Sequence, residues 1–471
     1  MISYKKYFEN KKITKQGFGV LGRGFGVVKF LLDSGADVLV TDTKPREYFD
    51  SQIREIERYI ADNNLTNKIE WVLGEHRIQD FLNCDFVIQA SGVPKNNIYL
   101  NHAKQSGIPV YQEGSLFCEI VRDFNMGVDE VDRIKIVGIT GTRGKTTTTF
   151  LIHKVISDFF GAENVHFGGN VQGVATLENL KKIKERDYVV MELDSWVLQG
   201  FLDIEYSPEV SVFTNFMADH MNYYHNDMDE YFADKANIFL YQKESDTLVT
   251  SEHMRSRVES MSSLGKKVFI TDAEVLDDKN KYVSQLLGDH NRYYITLAKH
   301  VAQILGISDE SFANSIKSFT GVAGRQEMVR ELNGVRYIND TTATTGEASM
   351  VALDTFSSSP ILLITGGRDK ELDMTDYANK IIDLKSTGAI KKVILLHDST
   401  TTGTEKLIGI LKDRNFVDYT SAQNINDAVN IARESAAEGD IVLFTPAFAS
   451  FGMFENEYDR GDKYNRAVAG L

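Results

Sequence analysis

The chain of 471 residues is long enough for roughly two to four domains, each able to bury its own core. With 42% hydrophobic residues, 25% charged residues and only six prolines, the composition is globular and excludes extensive disorder. A net charge of −15 excludes nonspecific attachment to nucleic acid or anionic lipid, and any polyanionic ligand must find its positive charge locally.

The opening residues, MISYKKYFENKKITK, carry no apolar leader, and no uninterrupted apolar stretch reaches membrane-spanning length. Two cysteines, Cys84 and Cys118, suit a reducing compartment and build neither a disulfide framework nor a zinc site alone. A cytoplasmic protein is expected. The first element is a glycine turn at Gly17, Gly19, Gly22, Gly24 and Gly26, followed by helical spacing through Val28, Phe30, Leu31 and Leu32. A strand over residues 37–42 then ends in Asp42. This β-α-β unit has a dinucleotide-type turn, open to three readings: a nicotinamide nucleotide, another nucleotide, or structure alone. Further strands are expected at 86–90 and 108–111. The polar segment 122–133 reads as a linker or an edge between domains.

Residues 134–139 form an apolar, β-branched run that reads as a buried parallel strand. It empties into Gly141-Thr142-Arg143-Gly144-Lys145-Thr146, and helical spacing resumes from Phe150. Strand, glycine turn, Lys-Thr and helix together cradle phosphate: backbone N–H groups converge on the oxygens, lysine reaches the terminal phosphates, and threonine can hold Mg²⁺. Ile139 stands where the common loop has its first glycine, so this is the shorter G-T-x-G-K-T form. Later strands end at Glu192 and before Asp219-His220, the positions where an open α/β sheet collects its ligand contacts. Either residue alone could equally serve structure, as a helix cap or a bonded loop histidine. Together they could ligate Mg²⁺, with Mn²⁺ an alternative because a histidine suits it as well. A helix at 231–239 bears Lys235. From Gly321 an α/β pattern restarts, with strands at 334–340, 361–365, 393–397 and 441–445. The expected organisation is three α/β domains: residues 1–123, Rossmann-like; 124–321, of the phosphate-loop ATPase type; and 322–471, again Rossmann-like.

GTRGKTTTT, the strand end at Glu192, TNFMADH, the helix of Lys235, GDHN, GRQE, NDTTAT, GGRDK and TPAFASFGMFENEYDRGD follow one another along the chain. In that order they resemble the landmarks of the Mur ligases, over essentially the whole sequence and most closely those of the MurD type, the D-glutamate-adding ligases. The resemblance implies a cytoplasmic enzyme of small-molecule substrates, which uses ATP to join a UDP-linked muramoyl-alanine to an amino acid through an acyl phosphate during peptidoglycan precursor synthesis. It implies a monomer, with neither nucleic acid nor membrane as partner. By resemblance Gly141, Thr142, Arg143, Gly144, Lys145, Thr146 and Thr147 hold ATP, with Asn291, Arg325 and Asp340. Lys145, Glu192, His220 and Lys235 carry the chemistry; Thr146, Glu192, His220 and a carbamylated Lys235 serve the metal. Gly22, Arg23, Asp42 and Thr43 lie at the UDP and Asn170 at the muramoyl end, while Thr344, Lys370 and Ser450 hold the incoming amino acid.

Five positions depart from the family pattern. Thr342 replaces a lysine, Glu457 an aromatic residue, Tyr294 an asparagine, Asp194 a serine and Tyr223 an arginine. Tyr294 is expected to stack on adenine. The lost positive groups leave L-glutamate or another amino acid open as acceptor. A folylpolyglutamate-synthase-like ligase would lack the N-terminal glycine-turn unit; a nicotinamide oxidoreductase leaves the phosphate loop unexplained; a noncatalytic nucleotide-gated binding protein leaves the retained Lys145, Glu192, His220 and Lys235 without a task.

Overall fold

The computed structural model describes residues 2–19, 23–94 and 96–471, with Arg23 described by its backbone alone. Five parallel strands form the first sheet: β1 (Lys12–Gln16), β2 (Asp37–Asp42), β3 (Ile69–Leu73), β4 (Phe86–Gln89) and β5 (Val110–Gln112), in the order 3-2-1-4-5. The order reverses between β1 and β4, so the crevice beyond their carboxyl ends is the switch point where such sheets take ligands. The second sheet contains β6 (Lys135–Thr140), β7 (Val165–Gly169), β8 (Tyr188–Glu192), β9 (Val210–Phe213), β10 (Thr247–Ser251) and β11 (Lys266–Ile270). Its order is 11-10-9-6-8-7, which brings the ends of β9, β6 and β8 side by side.

These two sheets belong to one compact unit, residues 1–283 with 292–317. One continuous core explains this: Ile13, Val28 and Phe30 from the first sheet and its helix join Phe117 and Ile120, then Ile136 and Leu193 of the second. Polar ties reinforce it, Lys181 to Asp33 at 2.6 Å and the Gln112 side-chain amide to the Trp196 carbonyl at 2.7 Å. The segment expected to be a linker is different. Helix Glu113–Met126 runs through its first half, and the Asn125 side chain clasps both the N–H and the C=O of Ile134, at 3.0 and 2.8 Å. Apolar spacing at Phe117, Ile120, Val121 and Phe124 continues the helix despite its charged exterior.

The second unit comprises residues 284–291 and 318–471. Its sheet contains β12 (Glu327–Leu332), β13 (Val335–Asn339), β14 (Ile361–Thr365), β15 (Ile390–Leu396), β16 (Thr420–Ala422) and β17 (Ile441–Phe444), in the order 12-13-17-14-15-16. Only the β12–β13 pair is antiparallel. Separate cores cover the two faces of this sheet, one around Leu363, Leu395 and Leu443, the other around Ile364, Val442 and Phe444. The expected α/β class with parallel sheets is therefore present. Among the described residues no helix is long and apolar enough to cross a membrane.

Candidate active site

β6 hands the chain to the glycine turn at Thr140. Gly141 has φ +145°, and a Cβ there would overlap the Thr214 hydroxyl; Gly144 has φ +79°, and a Cβ there would overlap the phenol of Tyr294. Both positions need glycine for conformation and for space. Helix Lys145–Phe160 starts immediately afterwards, so its free N–H groups and positive dipole end face the turn. The loop leaving β9 holds the turn in place. Thr142 N–H donates to the Asn215 carbonyl at 2.9 Å, Arg143 N–H to the Asn215 side-chain oxygen at 2.9 Å, and the Thr214 hydroxyl to the Arg143 carbonyl at 2.6 Å. The Arg143 guanidinium pairs with Asp219 at 3.2 Å.

Two lysines meet on this turn. Lys145 Nζ donates to the carbonyls of Gly141 and Thr142 at 3.0 and 3.1 Å, and Lys235 Nζ donates to the same Gly141 carbonyl at 2.9 Å. Lys235 comes from helix Met228–Ala236 and is 1% exposed. Burial, reinforced by the neighbouring Lys145 charge, pulls its pKa down to about 7. A substantial neutral fraction is thus available at physiological pH, the form of an amine that can add CO₂.

Glu192 closes β8, next to β6, with its side chain buried, and its carbonyl accepts from Asn170 N–H at 2.6 Å. His220 follows β9 in a left-handed conformation, φ +55°, with its ring 4.7 Å from that of Trp196. Burial lowers the His220 pKa, which favours the neutral imidazole, the form whose lone pair can serve a metal. The Glu192 carboxylate and the Thr146 hydroxyl are the oxygen donors that Mg²⁺ takes, and the imidazole is a donor that suits Mn²⁺ as well. Among the described residues no group of three or more His, Cys, Asp or Glu is placed to hold a metal ion by itself.

Three departures acquire structural tasks here. The Asp194 carboxylate caps helix Ser195–Asp203 by accepting from Val197 N–H at 2.8 Å, work a serine can also do. Tyr223 accepts from the Gln199 side chain at 3.3 Å and packs edge-on against Trp196 at 5.8 Å. Tyr294 is buried with its phenol against Gly144, at the phosphate loop.

At the first sheet, the Asp42 carboxylate accepts from Phe18 N–H at 2.8 Å and Lys44 N–H at 2.9 Å, fastening the glycine turn to the end of β2. Exposed Thr43 lies between these contacts. Gly22 and the side chain of Arg23 lie outside the described residues.

In the second unit Lys370 Nζ donates to the Thr344 hydroxyl at 3.0 Å. Arg368 and Ala449 exchange backbone hydrogen bonds at 2.9 and 3.1 Å, bringing buried Ser450 alongside the Lys370 segment. Asp340, at the end of β13, is 6% exposed and accepts from the Thr445 hydroxyl at 3.0 Å and Gln326 N–H at 3.2 Å. Desolvation nevertheless pushes its pKa up to about 7. Arg325 lies in the preceding turn, its N–H bonded to the Val322 carbonyl at 3.1 Å, and Asn291 donates its side-chain amide to the Leu287 carbonyl at 2.5 Å. Thr342 turns its hydroxyl to the Gly324 carbonyl at 2.9 Å, and Glu457 starts the last helix with its carbonyl accepting from the Thr341 hydroxyl at 2.8 Å. Sequence reasoning missed Arg460, wholly buried beneath these loops.

A phosphate loop flanked by a carboxylate and an imidazole, with a separate lysine- and threonine-bearing α/β unit, defines a nucleotide-dependent ligase of the Mur class. The Mur ligase middle-domain family model matches residues 139–302, and that of the Mur ligase glutamate ligase domain matches 324–448. UDP-N-acetylmuramoylalanine–D-glutamate ligase of Roseiflexus sp. (strain RS-1) is 32% identical over 97% of this chain and 98% of its own. The enzyme of the same name from Borreliella burgdorferi (strain ZS7) is 30% identical over 98% of each. The chain belongs to the family of UDP-N-acetylmuramoylalanine–D-glutamate ligases. Solved structures share the fold: Thermotoga maritima UDP-N-acetylmuramate–alanine ligase MurC has a TM-score of 0.58 at 17% identity, covering 98% of this chain and 100% of its own. MurF ligase from Thermotoga maritima, in complex with ADP, has a TM-score of 0.56 at 14% identity, covering 92% and 95%.

Proposed function

We propose that this chain is a cytoplasmic, ATP-dependent ligase that joins D-glutamate to UDP-N-acetylmuramoyl-L-alanine. The observation that carries the reading is the convergence of Lys145 and Lys235 on Gly141, at the sheet edge where β8 ends in Glu192 and the chain leaves β9 towards His220, in a chain similar to D-glutamate ligases throughout. The terminal carboxylate of the UDP-linked substrate attacks the γ-phosphorus of ATP, giving an acyl phosphate and ADP. The glutamate amine then attacks the acyl carbon, loses a proton, and expels inorganic phosphate as the amide forms.

Charge is the main obstacle, because three anions must meet in a protein of net charge −15. Lys145 and the N–H groups of the glycine turn supply fixed positive charge where the transferring phosphoryl group gathers electrons. Gly141, Thr142, Arg143, Gly144 and Thr147 complete the cradle, with Asn291, Arg325 and Asp340 contributing to ATP. Thr146, Glu192, His220 and a carbamylated Lys235 would hold Mg²⁺, with Mn²⁺ the alternative. Bound there, the metal would offset phosphate charge. Carbamylation converts the Lys235 amine into a carboxylate, an oxygen donor suited to that ion.

We assign residues 1–123 to the UDP substrate, 124–321 to ATP and 322–471 to the amino acid. Asp42, Thr43 and Asn170 face the first substrate; Thr344, Lys370 and Ser450 face the acceptor. The working form is a monomer that engages neither nucleic acid nor membrane. Purified protein should release ADP only when both UDP-N-acetylmuramoyl-L-alanine and an amino acid are present, with D-glutamate preferred in a panel including L-glutamate. No ADP with any acceptor would defeat the ligase reading; turnover with L-glutamate alone would correct the acceptor.

A further inference from the structure

Arg460 is 0% exposed, the largest fully buried side chain among the described residues. Its hydrogen-bond acceptors are neutral oxygens: Nε donates to the Thr341 hydroxyl at 3.1 Å, Nη2 to the Thr341 carbonyl at 2.6 Å, and Nη1 to the Phe448 carbonyl at 3.0 Å. Burial draws its pKa down to about 9, so the cation persists at neutral pH. A desolvated guanidinium held by neutral oxygens is expensive, and for helix anchoring alone a packed apolar side chain would serve as well. What an apolar side chain cannot supply is a rigid fork that fixes two separate backbones at a set distance.

The two segments so fixed are Asp340–Thr345 and Pro446–Ser450. A direct bond from Ala447 N–H to the Ala343 carbonyl at 2.9 Å joins them again, with Ala447 in the left-handed region at φ +64°. A non-glycine residue held there implies that the surrounding contacts dictate this path. The first segment carries Thr344, already bonded to Lys370; the second carries Ser450, whose neighbour Ala449 pairs with Arg368. Arg460 thus ties Thr341, in the segment that carries Thr344, to Phe448, in the segment that carries Ser450.

We propose that Arg460 is a positioning residue for the acceptor amino acid: its guanidinium sets the spacing of Thr344 and Ser450. This rests on the ligase reading above. Arg460→Lys keeps the charge but loses the fork, and Arg460→Met keeps much of the length but loses both. Each should raise KM for glutamate about tenfold or more, with KM for the UDP-linked substrate changing less than about twofold. Val468→Ala, two turns further along the same buried stripe of that helix and packed in the apolar core, should lower Tm without moving either KM. Millimolar guanidinium should restore part of the glutamate KM in Arg460→Ala, a recovery a purely structural defect would not show. Hydrogen exchange of residues 341–345 and 446–450 should accelerate in Arg460→Met and stay unchanged in Val468→Ala. An unchanged glutamate KM, or a KM shift equally produced by Val468→Ala, would overturn the assignment. Wild-type protein without glutamate turnover would defeat the ligase reading instead, and unchanged loop exchange would still overturn the role of Arg460.

Discussion

Lys235 and Asp340 show how single buried groups carry opposite pH signatures. Lys235 has a folded-state pKa near 7, below its ordinary 10.5. Below pH 7 both folded and unfolded states hold its proton, and the folded state bears the full desolvation penalty. Between pH 7 and 10.5 the unfolded state binds more protons, so this contribution to stability rises with pH. Lys235→Met should therefore raise Tm more at pH 6 than at pH 9, and equal shifts would show that the amine is not desolvated. In the enzyme assay Lys235→Ala should lose turnover and regain part of it with added small carboxylates; unimpaired activity would refute its carbamate. Asp340 runs the other way. Its folded pKa near 7 exceeds the ordinary 3.8, so its contribution falls as pH rises from about 4 to 7, by roughly 1.4 kcal/mol per unit of displacement. Asp340→Asn should stabilise at pH 8 far more than at pH 4 while weakening ATP use, and a pH-independent change in thermal unfolding would count against the shift.

At the scale of the element, the phosphate loop is built by contacts from both sides, the β9 exit on one and Tyr294 on the other. Gly144→Ala meets two penalties: about 1–2 kcal/mol for a left-handed non-glycine residue, and overlap with the Tyr294 phenol. Tyr294→Ala removes only the second. The double variant should recover part of the Tm and nucleotide affinity lost by Gly144→Ala, whereas strict additivity would show that Tyr294 does not press on the turn. The loop itself was legible because strand, glycines, Lys-Thr and helix are local in sequence; the place of Glu192 as the last residue of β8 was legible for the same reason, while His220 lies in the loop beyond β9. Less visible was what the neighbours do. Thr342 as a clasp on Gly324 and Arg460 as a tie between Thr341 and Phe448 depend on partners brought near only by folding, whereas the Asp194 cap on Val197 is local. The segment 122–133 was legible only in part: residues 122–126 finish a helix whose inner face belongs to the shared core, and 127–133 make the polar connection to β6.

Across the whole molecule, that shared core determines what unfolds together. The first two sheets bury Phe117, Ile120, Ile136 and Leu193 in one apolar cluster, while the last sheet has clusters of its own around Leu363, Leu443 and Val442. A sheet cannot lose its half of a common core without exposing the other half, so the first two should melt as one cooperative block and the third separately. Leu193→Ala and Leu443→Ala, both at fully buried positions, should each cost about 2–5 kcal/mol in their own block. Calorimetry should then show two transitions, one lowered by Leu193→Ala and the other by Leu443→Ala. ADP should raise the transition sensitive to Leu193→Ala, because the phosphate loop belongs to that block, by about 2.7 kcal/mol at a hundredfold excess over Kd. A single transition displaced equally by both variants would mean that the cores are energetically one.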